Sequence, residues 1–387
     1  MCGIFAYFKK DNFKQSEIDD CFKNSKLLNH RGPDHYGYIL KNNFFMSLNR
    51  LAINDLSSLG NQPFVYGKNI LLFNGEIYNF EYLRKKLIER NVKFISKSDT
   101  EVLLHFLIHF GVDKLSEING MFAFVFYDGK NIYCSSDIFG EKPLFIYQTK
   151  DSIIFSSELV ALKNYTTKNI SEENLYSYFS FGHLLLEQTF YKNVTKVAPG
   201  NVYKINKNLE ISKFSFFSMH KYYIEKNENL EITNDHIAEL DEILKKNFKT
   251  KCIGERNKTL LYSGGMDSFL VAKYLNNERD LDFIYFDDGK TNLDFNSHNY
   301  FSNKVYIEKI NDTFDDLNSI VEIFHQPHYS LTSLAYKQMA KKIKLQNKTI
   351  GITGLGGDEI FLGYNKFFEE GRNLKSILNF NVKKRLS

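Results

Sequence analysis

Tryptophan is absent from the 387 residues, and cysteine is rare: Cys2, Cys21, Cys134 and Cys252 stand far apart with no CxxC pair. That spacing excludes a disulfide framework and a zinc ribbon. Charge of one sign is scarce too. The formal net charge is +4, and no run of five or more Lys and Arg occurs, so the basic footprint of a nucleic-acid binder is missing. No apolar run approaches the roughly 18 residues of a membrane span. Lys9, Lys10 and Asp11 interrupt the apolar start, which breaks the signal-peptide pattern. These absences lead us to expect a soluble, cytoplasmic protein with no nucleic-acid and no membrane partner. Neither an internal repeat nor a low-complexity tract is present. The rest is ordinary: 43% hydrophobic and 25% charged, with heavy use of Lys, Asn, Phe, Ile and Tyr that reflects coding bias. The length suggests two domains.

The chain begins Met1-Cys2-Gly3-Ile4-Phe5. A small second residue normally allows Met1 to be removed, which would leave Cys2 as the first residue of the mature chain. Its thiol and its α-amine would then be nucleophile and base in one residue. An α-amine titrates near neutrality, so a useful fraction is unprotonated at about pH 7–8. The plainer reading is a small residue that happens to follow Met.

Gly3 to Phe8 reads as a strand, and Ser16 to Leu28 has helical spacing. His30-Arg31-Gly32-Pro33-Asp34 is a rigid polar turn. Met46 to Leu51 is a strand that delivers Arg50. Leu71-Leu72-Phe73 is a buried strand expected to end at Asn74-Gly75-Glu76. Ser98 and Glu101 fit a capping box for a helix carrying Val102, Leu103, Phe106, Leu107 and Phe110. Asp128-Gly129-Lys130 joins two apolar runs as a hairpin. Many strands and few helices suggest a layered α+β sandwich.

Cys2-Gly3-Ile4, Arg31-Gly32-Pro33-Asp34, Asn74-Gly75-Glu76, Gly120-Met121-Phe122-Ala123 and Phe139-Gly140-Glu141-Lys142-Pro143-Leu144 resemble, in order and spacing, the glutaminase domain of glutamine-dependent asparagine synthetases. The resemblance implies an N-terminal-nucleophile (Ntn) hydrolase four-layer sandwich over residues 2–205. It implies that Cys2 attacks the glutamine amide, while the Asn74 side chain and Gly75 N–H receive the oxyanion. Arg50, Leu51, Ala52, Ile53 and Asn54, with Asn74, Gly75, Glu76 and Asp99, would be the glutamine contacts. Arg50 offers a fork for the α-carboxylate, and Glu76 and Asp99 offer charge to the α-ammonium. Each has a plainer reading: Asn74-Gly75 as a turn, Asp99 as part of a helix cap, Arg50 as a surface cation.

Residues 206–234 read as a linker, polar and charged from Met219 on. Ile237, Leu240, Ile243, Leu244 and Phe248 give the next helix an inward face. Thr259 to Tyr262 is a strand, Ser263-Gly264-Gly265-Met266-Asp267-Ser268 a glycine loop, and Phe269 to Leu275 a helix. Backbone N–H groups at such a helix start hold phosphate oxygens. No Gly-Lys-Ser/Thr follows, so this is not a Walker loop. It resembles the pyrophosphate (PP) loop of enzymes that split ATP to AMP and pyrophosphate. The resemblance implies an α/β parallel-sheet ATP pyrophosphatase domain over 235–387, incomplete at its C-terminus. ATP would meet Tyr262, Ser263, Gly264, Gly265, Asp267, Ser268, Tyr285, Thr353 and Gly354, and Mg²⁺ would meet Asp267 and Asp358.

Three departures stand out. The family usually carries an acid where Leu355 stands in Gly354-Leu355-Gly356-Gly357-Asp358-Glu359. The sequence stops at Ser387, thirty residues after Gly357, where the family continues with a helical region over the acceptor site. His325-Gln326-Pro327 replaces an acidic pattern; His325 and His328 read as loop residues, with metal ligation the alternative. The implied function is an asparagine synthase (glutamine-hydrolysing)-like ligase. Glutamine hydrolysis supplies ammonia through an internal path to an acyl-adenylate, aspartate being the default acceptor. Two alternatives stay open: another carboxylate such as a sugar acid of a surface polysaccharide, and a glutaminase or regulatory subunit with an inactive synthetase half. The expected assembly is a homodimer, or a complex whose partner supplies the missing region.

Overall fold

The computed structural model describes residues 1–166, 170–218, 232–252, 254–276, 278, 281–287, 305–309, 317–328, 332–361 and 363–364. They fall into two compact units. One comprises the described residues of Met1–Glu231, Ile253–Glu255 and Thr313–Leu334; the other, those of Ile232–Cys252, Arg256–Asp312 and Ala335–Ser387.

The first unit is built on alternation. β1 (Gly3–Lys9) sends Ile4, Ala6 and Phe8 to one face and Phe5 and Tyr7 to the other, and both faces are apolar. Period-two alternation with two apolar faces requires cover on both sides. One side is a second sheet. β1 lies in a six-stranded antiparallel sheet with β2 (His35–Leu40), β3 (Phe44–Arg50), β8 (Phe145–Gln148), β9 (Ser152–Ser156) and β10 (Val194–Lys196), in the order β10-β8-β9-β1-β3-β2. The facing sheet holds β4 (Phe64–Tyr66), β5 (Asn69–Ile77), β6 (Gly120–Tyr127), β7 (Ile132–Ser136), β11 (Asn201–Ile205) and β12 (Ile211–Ser215), in the order β12-β11-β7-β6-β5-β4. Ile4, Met46, Leu48, Leu72, Val125 and Phe155 fill the space between them. Helix α1 (Gln15–Lys26) covers the outer face of the first sheet through Cys21 and Phe22. Helices α2 (Phe80–Ile88) and α3 (Asp99–Phe110) cover the second through Leu83, Leu87, Val102, Leu103 and Phe106. This is the four-layer helix–sheet–sheet–helix sandwich that the sequence implied.

Several local readings change. The Asn74-Gly75-Glu76 stretch does not end its strand: β5 continues to Ile77, with Asn74 opposite Ala123 and Gly75 opposite Phe122. Pairing along β6 overrides a local turn signal. The capping box at Ser98 is half made. The Ser98 hydroxyl accepts from the Glu101 N–H at 3.3 Å, but the Glu101 carboxylate turns to the N–H groups of Ile95 (2.9 Å) and Ser96 (2.7 Å). The stretch 206–234 begins as sheet, because β12 pairs with β11; residues 219–231 of it lie outside the described residues. Also in this unit are the short helix α4 (Lys163–Thr166) and α5 (Glu172–Phe181), which ends on Gly182 at φ +75°.

The second unit opens with α6 (Asn234–Lys251), followed by β13 (Lys258–Tyr262), α7 (Met266–Leu275), β14 (Leu281–Asp287) and β15 (Val305–Lys309). The first unit's α8 (Leu317–Phe324) precedes α9 (Thr332–Leu345), β16 (Ile350–Ile352) and α10 (Gly357–Phe361). The sheet is parallel, in the order β15-β14-β13-β16. Leu260, Tyr262, Val271, Leu275, Phe283 and Tyr285 form its core. The inward face expected of α6 is not buried: Ile237 and Ile243 are more than half exposed, and only Phe248 packs on the core. Helical spacing reveals an apolar stripe but not what covers it. Among the described residues no helix is long and apolar enough to cross a membrane.

Candidate active site

Cys2 enters at the head of β1, and the inward alternation Cys2, Ile4, Ala6, Phe8 carries it to the margin of the inter-sheet core. On β5 the same face runs Leu72, Asn74, Glu76. The polar end of β5 thereby meets the start of β1. The Cys2 N–H donates to Asn74 Oδ1 at 2.8 Å. The Leu51 N–H donates to the Cys2 sulfur at 3.4 Å, and Leu51 O lies 3.7 Å from it. Burial pushes the thiol pKa up. Burial also pulls the α-amine of Met1 down to about 6.

Asn74 Nδ2 is buried and, among the described residues, has no hydrogen-bond partner. A buried unpaired amide donor costs about 1–3 kcal/mol, and this one belongs to the side chain that accepts from the Cys2 N–H. Gly75 leaves no room for a side chain: a Cβ there would lie 2.1 Å from Met121 O.

Cys2, Arg50, Leu51, Ile53, Asn54, Gly75, Glu76 and Asp99 line one small cavity of 30 Å³, together with Asp55 and Gln62. That volume holds a water or two. An amino acid needs the loop after Arg50 to give way. Ala52 is buried behind it, its N–H donating to Asp34 Oδ2 at 2.9 Å.

Arg50 is buried rather than a surface cation. Its Nη1 donates to Ser57 O and Asn61 Oδ1, each at 2.8 Å, and its Nη2 donates to Asp55 O. The guanidinium thus braces the loop, and among the described residues its Nε and one Nη2 hydrogen make no hydrogen bond. On the opposite wall Glu76 and Asp99 share the Asn54 amide: Nδ2 donates to Glu76 Oε2 and lies 3.4 Å from Asp99 Oδ2. Asp99 also accepts from the Ile77 N–H at 3.0 Å. Burial raises Asp99 to about 6. Burial and then the Asp99 charge push Glu76 well above the usual carboxylate range. The two acids compete for ionisation where no cation is bound.

Four residues were not singled out from the sequence. Arg31 Nε donates to Cys2 O at 2.9 Å, and Glu158 pairs with Arg31 at 2.5 Å. Asp137, fully buried, accepts from the N–H groups of Phe122, Phe139, Glu141 and Lys142 and so shapes the 137–142 turn. Gln62 bridges the Phe73 backbone, accepting at 2.7 Å and donating at 3.1 Å. Of these, only Arg31 lay in a motif noted beforehand.

The second unit has its own candidate site, where its two glycine turns meet. Gly264 has φ +77° and Gly356 φ +102°, conformations that favour glycine. A Cβ on Gly357 would lie 2.5 Å from Asp267 Cγ, and one on Gly354 3.0 Å from Asp267 Cβ. Ser263 and Ser268 hydroxyls lie 3.0 Å apart, and the Gly265 N–H donates to Ser263 Oγ at 3.3 Å. Burial, then the Asp358 and Glu359 charges, raise the Asp267 pKa. Thr353 Oγ1 accepts from the Leu355 N–H at 3.4 Å. Tyr262 and Tyr285 stand side by side in the ladder and are buried in the core. His325 and His328 lie in the first unit: Tyr191 OH donates to His325 O at 2.6 Å, and His328 Nε2 is 2.7 Å from Ser333 Oγ. Among the described residues no three His, Cys, Asp or Glu side chains gather as a metal cluster.

Residues 1–222 match the family model for the glutamine amidotransferase domain, and residues 239–385 that for asparagine synthase. A Methanocaldococcus jannaschii protein bearing the name asparagine synthetase [glutamine-hydrolyzing] 2 is 30% identical over 94% of this chain and 76% of its own. Asparagine synthetase [glutamine-hydrolyzing] 1 of Bacillus subtilis is 29% identical over 95% of this chain; the chain spans 60% of that relative's length. A solved glutamine phosphoribosylpyrophosphate amidotransferase of B. subtilis aligns with a TM-score of 0.43 and 15% identity, over 86% of this chain and 92% of its own.

Proposed function

Because the chain belongs to the glutamine-hydrolysing asparagine synthetase family, we propose that it is a glutamine-dependent, ATP-dependent amidotransferase whose nitrogen comes from Cys2. The carrying observation is Asn74: one end of its amide holds the Cys2 nitrogen, and the other is a buried donor with no partner among the described residues. Removal of Met1 turns the held nitrogen into the α-amine. That amine takes the thiol proton as the sulfur attacks the glutamine carboxamide. Asn74 Nδ2 and the Gly75 N–H receive the oxyanion. Ammonia leaves, and water releases glutamate from the thioester.

Glutamine's α-ammonium settles between Glu76 and Asp99, and Arg50 takes its carboxylate as the loop yields. The ammonium favours the ionised acids, so binding below about pH 6 releases protons. The expected result is a glutamine KM that rises roughly tenfold per pH unit below 6 while kcat changes less. Steady-state kinetics between pH 5 and 8 checks this; a KM flat across that range would contradict the assignment.

The second unit activates a carboxylate with ATP to give AMP and pyrophosphate, and the ammonia attacks the acyl-adenylate. Ser263, Gly264, Gly265 and Ser268, with Thr353 and Gly354, cradle the phosphates; Tyr262 and Tyr285 contribute only backbone there. Asp267 and Asp358 suit Mg²⁺, a hard cation that binds through one or two carboxylates, with waters and phosphate oxygens as its other ligands. The mutual charge of Asp267, Asp358 and Glu359 favours such a cation. Asp267→Asn is expected to cut acceptor-dependent AMP release on the order of 10²-fold and to leave glutamine hydrolysis within twofold.

Aspartate is the default acceptor. Leu355 favours a second reading, since it is exposed where the family carries an acid: the acceptor is then another carboxylate, such as a sugar acid. AMP release scored with aspartate and with sugar acids separates the two. No acceptor-dependent AMP with any of them contradicts both and leaves a glutaminase alone.

A further inference from the structure

The nucleophile is held at more points than the chemistry uses. Asn74 fixes the Cys2 nitrogen and Leu51 faces its sulfur. Its carbonyl is held from the far side by Arg31 Nε at 2.9 Å. Arg31 is itself buried, and Glu158 anchors it at 2.5 Å. Glu158 belongs to Ser156-Ser157-Glu158, the segment where β9 runs out. That segment is stitched to the start of β1. The Ser157 N–H donates to Ile4 O at 3.0 Å, and the Ile4 N–H donates to Ser157 Oγ at 3.0 Å. The Ser156 hydroxyl donates to Glu158 O at 2.8 Å, which fixes the glutamate backbone.

His30 closes the cluster from the solvent side. Its Nδ1 lies 3.0 Å from Leu27 O and its Nε2 3.0 Å from Glu158 Oε2. Both ring nitrogens face acceptors, an arrangement that a doubly protonated ring satisfies. The direction of its pKa, raised by the Glu158 bond, agrees. Burial pushes Glu158 up, but His30 and Arg31 outweigh it and hold the carboxylate ionised. A glutamate paired with Arg31 and hydrogen-bonded to His30 is an anchor, not an acid awaiting a substrate. Neither Arg31 nor Glu158 lines the cavity that holds Glu76 and Asp99.

We propose that Ser157 and Glu158 are positioning residues of the glutaminase reaction: they fix the backbone that follows the Cys2 Cα, Glu158 through Arg31 and the Cys2 carbonyl and Ser157 through the Ile4 amide. The inference rests on the reading of Cys2 as the nucleophile. A thiol set on a strand end has one free torsion, χ1, so the backbone decides where the sulfur points. Misplacement of about 1 Å can cost on the order of 10²-fold in rate.

The test is the rate at which 6-diazo-5-oxonorleucine, a glutamine-mimicking electrophile, alkylates Cys2 in the full chain. Glu158→Gln is expected to lower the limiting alkylation rate on the order of 10²-fold. The half-saturating concentration should stay within threefold, because the cavity wall is untouched. Glu158→Asp should recover part of the rate. Ser157→Ala, which removes one hydroxyl, should lower it about fivefold through the lost hydrogen bond. Ammonia-dependent AMP release and the melting temperature report the fold. If Glu158→Gln does not fold, Arg31→Gln/Glu158→Gln removes both charges and carries the same expectation, and Ser157→Ala stands independently of either. Wild-type limiting rates in the folded variants, or a loss confined to the half-saturating concentration, would overturn the proposal. Absence of label on Cys2 in the unchanged protein would instead overturn the nucleophile reading beneath it.

Discussion

Cys2→Ala is expected to lower glutamine hydrolysis by about 10⁴-fold or more, the loss seen when a nucleophile that acts as a unit with its base is deleted. The same protein should retain acceptor-dependent AMP release within twofold when ammonia is added. The reason is structural. Cys2 is a small side chain at the head of β1, and the space it leaves is bounded by Leu51 and Asn74. Removing one sulfur there costs little stability. The glycine turns belong to the second compact unit, which has its own core. Loss of both activities would contradict the division of labour. Cys2→Ser separates nucleophilicity from shape: its hydroxyl fits, but it is a poorer nucleophile, so hydrolysis should stay far below wild type.

Asn74→Ala has the second largest expected effect, a fall of about 10²–10³-fold in kcat for glutamine hydrolysis. Two losses combine. The oxyanion loses the Nδ2 donor, and the Cys2 nitrogen loses its 2.8 Å acceptor. Asn74→Asp distinguishes them. It keeps an acceptor for the Cys2 nitrogen but presents a carboxylate where negative charge develops, so it should be at least as slow as alanine. An Asn74→Asp variant with near-wild-type kcat would remove Nδ2 from the mechanism. Glutamine KM should change less than kcat in both, because a donor used only by the tetrahedral intermediate stabilises the transition state selectively. Comparison of the two variants by steady-state kinetics checks this.

The layered fold was legible because β1, β5 and β6 carry apolar residues on both faces, and only a strand covered twice can do so. Residues that short motifs had marked, Cys2, Asn74-Gly75-Glu76 and Asp99, come together at the head of β1 and the end of β5. What escaped was long-range pairing. Glu158 meets Arg31 across 127 positions, and nothing local in Ser156-Ser157-Glu158 announces a partner. Asn74-Gly75 has the composition of a turn, yet eight pairings along β6 keep it in a strand. Glu101 satisfies the spacing of a capping box, but Ile95 and Ser96 hold N–H groups that compete for its carboxylate. Arg50 was expected as an open fork, and the carbonyls of Asp55 and Ser57 already occupy much of it. The apolar stripe of α6 has the right period, yet Ile237, Leu240 and Ile243 stay exposed while Phe248 packs on the core, since periodicity describes one helix and burial needs two surfaces.

The most direct test is intact-mass and peptide mapping of the purified protein after treatment with 6-diazo-5-oxonorleucine. A chain lacking Met1 with a single adduct on Cys2, and none on Cys21, Cys134 or Cys252, is the expected result. A chain that keeps Met1, or a Cys2 that stays unlabelled while glutamine is still hydrolysed, would contradict the account.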